Sequence, residues 1–138
     1  MPVRLLDINV LIPLLWQSDP RHEWVEKWFV DRRAEGWATC PITQLGFIRI
    51  SCTPHVMPVS PTLAMATGLL KKWTLTEDHH FWADQLAVAD ALSPVLPHLT
   101  GHKQLNDAYL IALAKHYGGV LATLDQPLIG FSGVELVR

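Results

Sequence analysis

Three aspartates that are far apart in the chain each stand where an apolar run meets a helix or a turn. Asp7 closes the run Val3–Leu6, Asp125 closes the run Val120–Leu124, and Asp107 falls in the first turn of a helical stretch just before that second run. Carboxylates brought close together repel one another unless a cation lies between them. A cluster of this kind is suited to Mg²⁺ or Mn²⁺, which activate water and stabilise charge on phosphate oxygens. The pattern therefore predicts a metal site for phosphodiester hydrolysis.

Each acid also has a purely structural interpretation. Asp7 is suited to cap a helix that begins at Ile8, Asp107 to complement a helix dipole, and Asp125 to form an Asx turn before Gln126. Taken singly, each aspartate is better explained in this way. Their shared placement at strand and helix ends favours a catalytic site.

The elements that must position these acids alternate between strands and helices. The sequence predicts strands at Val3–Leu6, Trp37–Cys40, His79–Trp82, Val120–Leu124 and Val134–Val137. It predicts helices at Ile8–Trp16, Pro20–Glu35, Gln44–Cys52, Thr62–Trp73, Leu86–Leu92 and Gln104–Tyr117. This alternation indicates a single α/β domain over residues 1–138, with a central, mostly parallel sheet and helices on both faces. Ligands of such sheets bind outside the carboxyl ends of the strands, where the acids are expected.

Composition limits the other possibilities. The chain has 138 residues, 49% of them hydrophobic, which suffices for one core without metal or disulfide support. Two cysteines, Cys40 and Cys52, fit no zinc or disulfide pattern and favour a cytoplasmic protein. No apolar run is long enough to span a membrane. A net charge of −2 provides no global attraction to nucleic acid, so RNA contact must depend on local cations.

Three segments resemble the PIN-domain family, and most closely its VapC-like toxin branch. Leu5-Leu6-Asp7-Ile8-Asn9-Val10-Leu11 resembles the family's opening strand and acid. Asn106-Asp107-Ala108-Tyr109-Leu110-Ile111-Ala112-Leu113-Ala114 resembles its central acidic helix, and Leu121-Ala122-Thr123-Leu124-Asp125 its later strand. The three segments come in the family's order at similar distances, and between them the resemblance covers essentially the whole chain.

The resemblance implies a Mg²⁺- or Mn²⁺-dependent endoribonuclease, the toxin of a toxin–antitoxin pair. Its partners would be an RNA substrate, a cognate antitoxin and a second copy in a homodimer. The metal ligands would be Asp7, Asp107 and Asp125, with Asn9, Thr43 and Thr123 orienting them from nearby.

One position departs from the family pattern. A Glu is common early in the third helix, but Gln44 stands there and supplies a neutral oxygen, which lowers the charge of the site by one. Gln44 is therefore a doubtful metal ligand. The alternative hypothesis is a PIN fold that binds RNA or protein with weak or no catalysis. A phosphatase using Asp-x-Asp is disfavoured, because Asn9 replaces its second aspartate.

Several further residues carry expectations that the structure can test. Arg49 is suited to contact a scissile phosphate or an antitoxin carboxylate, although a surface salt bridge explains it as well. The other candidates for RNA backbone contact are Arg4, Lys71, Lys72 and Lys103. Trp24 and Trp28 are expected to pack in the core or a dimer interface, while Thr43 caps a helix that turns Leu45, Phe47 and Ile48 inward.

Overall fold

The computed structural model of the protein describes residues 2–138 and consists of alternating strands and helices. Its strands are β1 (Arg4–Leu6), β2 (Trp37–Thr39), β3 (His79–Phe81), β4 (Val120–Thr123) and β5 (Val134–Leu136). Its α-helices are α1 (Ile8–Leu15), α2 (His22–Val30), α3 (Pro41–Ser51), α4 (Leu63–Thr74), α5 (Val88–Leu92) and α6 (Leu105–His116). Short 3-10 turns occur at Arg33–Glu35, Leu96–His98, His102–Gln104 and Gln126–Gly130.

The five strands form one sheet in the order β3-β2-β1-β4-β5, and every pairing is parallel. The predicted α/β class is confirmed, and the sheet is entirely rather than mostly parallel. β1 lies at the centre, and its register with β4 places Leu6 opposite Ala122. All carboxyl ends therefore lie at one edge, and the chain leaves β1 and β4 side by side there.

Helices cover both faces of the sheet, as predicted. Leu6, Trp37 and Ala122 point to one face and join a core with residues of α1, α2, α3 and α4. Leu5 and Leu121, their neighbours in sequence, point to the opposite face and pack against α6. Because successive strand residues alternate between faces, strands buried on both sides must be continuously apolar. The rule fits Leu5 and Leu6 of β1 and Leu121 and Ala122 of β4, which are all fully buried.

Helix α3 begins earlier than its sequence predicts. Pro41 occupies its first turn, where the missing N–H costs nothing, and Cys40 is the N-cap. Thr43 is thus not the N-cap: its hydroxyl lies 3.0 Å from the backbone nitrogen of Cys40 inside the helix. The face of α3 that packs inward contains Thr43, Gly46 and Phe47, and Phe47 is fully buried. Leu45 is 68% exposed, so the prediction that it faces inward was wrong.

The packing bears on two other predictions. Trp28 is buried in the core, whereas Trp24 is 43% exposed, so a place for Trp24 in a dimer interface stays a prediction. Arg4 is only 8% exposed, and its guanidinium binds Glu35 at 3.0 Å and Glu135 at 2.9 Å. Arg4 therefore links β1 to Glu35, in the 3-10 turn before β2, and to Glu135 of β5. Its guanidinium is not available to RNA.

The structure also bears on the two cysteines and on the question of membrane segments. Cys40 is buried and Cys52 is half-buried, and both are free thiols. In the described part of the chain, none of the helices combines the length and the apolar character needed to cross a bilayer.

Candidate active site

The three aspartates singled out from the sequence lie at the carboxyl edge of the sheet. Asp7 follows β1, and Asp125 lies two residues beyond the end of the neighbouring strand β4. Asp107 lies in the first turn of α6. Because α6 leads into β4 and packs on β1 and β4, it runs antiparallel to them, and its amino terminus must lie at the same edge.

The carboxylate of Asp7 is buried and fixed by two hydrogen bonds. Its Oδ1 accepts the backbone N–H of Ile8 at 2.7 Å, which makes Asp7 the N-cap of α1. Its Oδ2 accepts the hydroxyl of Thr123 at 2.8 Å. Only 6% of the residue is exposed, and this burial raises its pKa, while the two hydrogen bonds oppose the rise. Asp7 is therefore both a helix cap and a rigidly held carboxylate.

Thr123 connects the parts of the site that come from the two central strands. Its hydroxyl donates to Asp7, accepts the side-chain amide of Asn9 at 3.2 Å, and accepts the backbone N–H of Asp125 at 3.1 Å. A hydroxyl has one proton and two acceptor positions, so all of its capacity is used. Asn9 completes the link, since its Oδ1 accepts the backbone N–H of Leu124 at 3.1 Å. The turn that leads to Asp125 is thereby bound to the start of α1.

Asp107 experiences the negative charge of the site most strongly. Partial burial, together with the smaller effect of repulsion from Asp7 and Asp125, raises its pKa to about 6. Repulsion from Asp125 also raises the pKa of Asp7, after the larger effect of burial. Asp107 is therefore near enough to Asp7 and Asp125 to interact with them, and no cationic side chain is among the groups that shift the pKa of Asp7 or of Asp107. The arrangement holds uncompensated negative charge.

A hard divalent cation fits the chemistry of these donors. Asp7, Asp107 and Asp125 offer only oxygen ligands, and a cation would remove the repulsion that they impose on one another. Among residues 2–138, however, no three His, Cys, Asp or Glu side chains form a group compact enough to enclose an ion. Mg²⁺ retains several waters and needs only one or two direct carboxylates, so an open set of acids suits it better than a closed cage.

The other predicted residues, Gln44, Thr43 and Arg49, all lie on α3. Gln44 lies near the start of α3, a helix that packs against α1. Its amide donates to Thr39 at 2.9 Å. Thr43 makes its hydrogen bonds within the start of α3, and Arg49 lies on the exposed side of that helix. In the part of the chain that the structure describes, neither residue forms a side-chain hydrogen bond or an ion pair with the three aspartates.

Two polar groups at the same edge were not found from the sequence. Thr39 is fully buried at the end of β2, between Gln44 and His79. Asp84 follows β3 and interacts with the thiol of Cys40, and its pKa is raised by desolvation. The sequence could have indicated them only by their position, since both lie at or just beyond the end of a predicted strand.

A match of residues 4–130 to the PIN domain family model identifies this architecture. The chain belongs to the PIN-domain family, in its VapC-like branch. It is 39% identical over 134 residues to ribonuclease VapC39 of Mycobacterium tuberculosis, covering 97% of this chain and 96% of that one. It is 38% identical to ribonuclease VapC44 of the same organism, covering 90% of this chain and 87% of that one.

Solved structures of VapC-like proteins share the fold at low sequence identity. VapBC2 of Rickettsia felis, bound to a DNA fragment from its promoter, superposes with a TM-score of 0.70 at 9% identity and covers 99% of each chain. VapC20 of Mycobacterium tuberculosis, a Sarcin-Ricin loop cleaving toxin, superposes with a TM-score of 0.69 at 12% identity, covering 95% of this chain and 98% of that one. At these identities the similarity establishes the PIN fold.

Proposed function

We propose that this PIN-domain protein is a metal-dependent endoribonuclease and the toxin of a toxin–antitoxin pair. The observation that supports the proposal best is the convergence of Asp7, Asp107 and Asp125 at the carboxyl edge, where repulsion helps to raise the pKa of Asp7 and of Asp107. Relatives of 38–39% identity are named ribonuclease VapC, which favours RNA as the substrate. A function in binding alone would give no reason to keep such repulsion in the fold.

The residues of the site divide into ligands and supports. Asp7, Asp107 and Asp125 would hold Mg²⁺ or Mn²⁺, and Gln44 would add a neutral oxygen. A bound cation of this kind makes water more acidic and stabilises negative charge on a phosphate. Thr123 and Asn9 hold Asp7 and the backbone of Asp125 in one geometry before any substrate arrives. This preorganisation limits the reordering that catalysis would otherwise require.

The proposal extends to partners that follow from the family. The neighbour from Rickettsia felis is a VapBC pair, and another solved neighbour is a toxin–antitoxin complex from Klebsiella pneumoniae. We propose that this chain likewise binds a cognate antitoxin, that it forms a homodimer, and that it acts in the cytoplasm.

A cleavage assay on the purified chain tests the proposal. Total cellular RNA, 5′-labelled after extraction, is incubated with the protein in Mg²⁺, in Mn²⁺ or in excess EDTA. We expect discrete fragments with either metal and none with EDTA. Asp7→Asn and Asp107→Asn should each remove cleavage, whereas Glu77→Gln, which neutralises an exposed acid after α4, should cut like wild type. Cleavage by both aspartate variants at the wild-type rate would exclude the proposed site.

A further inference from the structure

A chain of hydrogen bonds connects the candidate ligand Gln44 to the sheet. Nε2 of Gln44 lies 2.9 Å from the hydroxyl oxygen of Thr39, and that oxygen lies 2.7 Å from Nε2 of His79. Thr39 is fully buried, and His79 packs against the ring of Trp37 with 4.6 Å between centroids. The relay therefore lies between β2 and β3, sheltered from solvent at its centre.

The proton positions in this relay follow from counting donors. Burial lowers the pKa of His79, so its ring is neutral near pH 7.5 and has a single N–H. The structure turns Nε2 of His79 and the NH₂ of Gln44 toward the same hydroxyl oxygen of Thr39. Because the NH₂ of Gln44 donates to that oxygen, the proton of Thr39 is left for Nε2 of His79, which is then an acceptor.

This order leaves Gln44 one orientation. With its one proton directed at His79, the hydroxyl of Thr39 can only accept from Gln44, which agrees with the NH₂ group that the structure turns toward it. Within residues 2–138 the carbonyl oxygen of Gln44 accepts no hydrogen bond, and no buried side-chain nitrogen or oxygen lacks a partner. That oxygen is therefore open to solvent at the carboxyl edge.

We propose that Thr39 and His79 are positioning residues that hold the amide of Gln44 with its carbonyl oxygen free for the cation. The inference rests on the metal-dependent nuclease proposed above. On this proposal the neighbouring hydrogen bonds are arranged for an amide at position 44. A Glu at that position would not fit the proton order of the Gln44–Thr39–His79 chain. A carboxylate cannot donate, so Thr39 would have to turn its proton toward it, and His79 would have to place a proton on Nε2.

Two measurements at pH 7.5 test the inference. Imidazole ¹⁵N shifts report which ring nitrogen of His79 carries the proton, and titration calorimetry with MgCl₂ reports affinity. In wild type we expect Nε2 of His79 to be unprotonated, and in Gln44→Glu we expect it to be protonated. Thr39→Val should weaken Mg²⁺ binding about tenfold, the usual effect of removing a residue that orients a ligand.

Matched variants separate this role from simple loss of fold. Thr39→Ser retains the hydroxyl and should bind Mg²⁺ close to the wild-type affinity. Thr53→Val removes an exposed hydroxyl that binds the Arg49 carbonyl and should also bind normally. A proton on Nε2 of His79 in wild type, or wild-type Mg²⁺ affinity in Thr39→Val, overturns the positioning role alone. A wild-type chain that binds no Mg²⁺ overturns the proposed metal dependence and this use of Gln44 together.

Discussion

Replacing Asp107 with Asn should stabilise the metal-free protein while it destroys the proposed activity. The carboxylate lies in the first turn of α6, partly buried, and faces the charges of Asp7 and Asp125. An uncharged amide of the same size removes both the repulsion and the cost of burying a charge. If Asp107 served only the helix dipole, the same change would instead destabilise the protein by about 0.3–1 kcal/mol. The sign of the change in unfolding free energy therefore separates the two interpretations of Asp107.

The magnitude follows from the shift in proton affinity. The pKa of Asp107 rises from 3.8 to about 6, and each tenfold change in affinity is worth about 1.4 kcal/mol, so the upper limit is about 3 kcal/mol. Water reaches part of this side chain and screens its charge, which reduces the expected effect to about 1–2 kcal/mol. The folded protein binds this proton more tightly than the unfolded chain. Its contribution to stability is therefore present below pH 4 and is lost as the pH rises to about 6.

Urea unfolding of wild type and Asp107→Asn in EDTA at pH 4 and pH 7.5 measures the effect. We expect equal stability at the lower pH and a gain of about 1–2 kcal/mol for the variant at the higher pH, or about 3–8 °C in Tm. Mg²⁺ should then raise the Tm of wild type and not that of the variant. Glu77→Gln serves as the control for loss of one charge. A variant that is less stable than wild type at pH 7.5 would refute the repulsion argument.

Four further substitutions test the site and the packing of the helices. Thr123→Val leaves Asp7, Asn9 and the Asp125 backbone without their shared partner, so we expect a loss of about 2–3 kcal/mol in urea unfolding and a 10–100-fold slower cleavage; wild-type cleavage would contradict its role. Gly46→Ala forces a Cβ against Ile8 and should cost about 1 kcal/mol or more in thermal unfolding. By contrast, Gly68→Ala in α4 meets no atom within 4 Å and should stabilise by about 0.5–1 kcal/mol. Gln44→Glu should tighten Mg²⁺ binding on the order of tenfold by calorimetry because it adds a ligand charge; unchanged affinity would argue against residue 44 as a ligand.

Much of the fold could be predicted because its signals are local. The apolar runs that end at Asp7 and Asp125 are strands, and the helix that contains Asp107 lies where its period predicts. Parallel strands buried on both faces leave a continuous apolar run, which one sequence is enough to reveal. The error occurred where the buried face of a helix depends on packing. Leu45 is exposed because α3 turns Thr43, Gly46 and Phe47 to the interior.

The sequence by itself determined the α/β class, the family resemblance and the three aspartates, because each depends on residue type and short-range order. Only the tertiary structure decided how those acids are held. The hydrogen bonds of Thr123 to Asp7 and of Gln44 to Thr39 join residues from different elements, and no spacing along the chain predicts them. The same is true of the charge on Asp107, since repulsion depends on distance in space and on burial, which exist only once α6 has packed against the sheet.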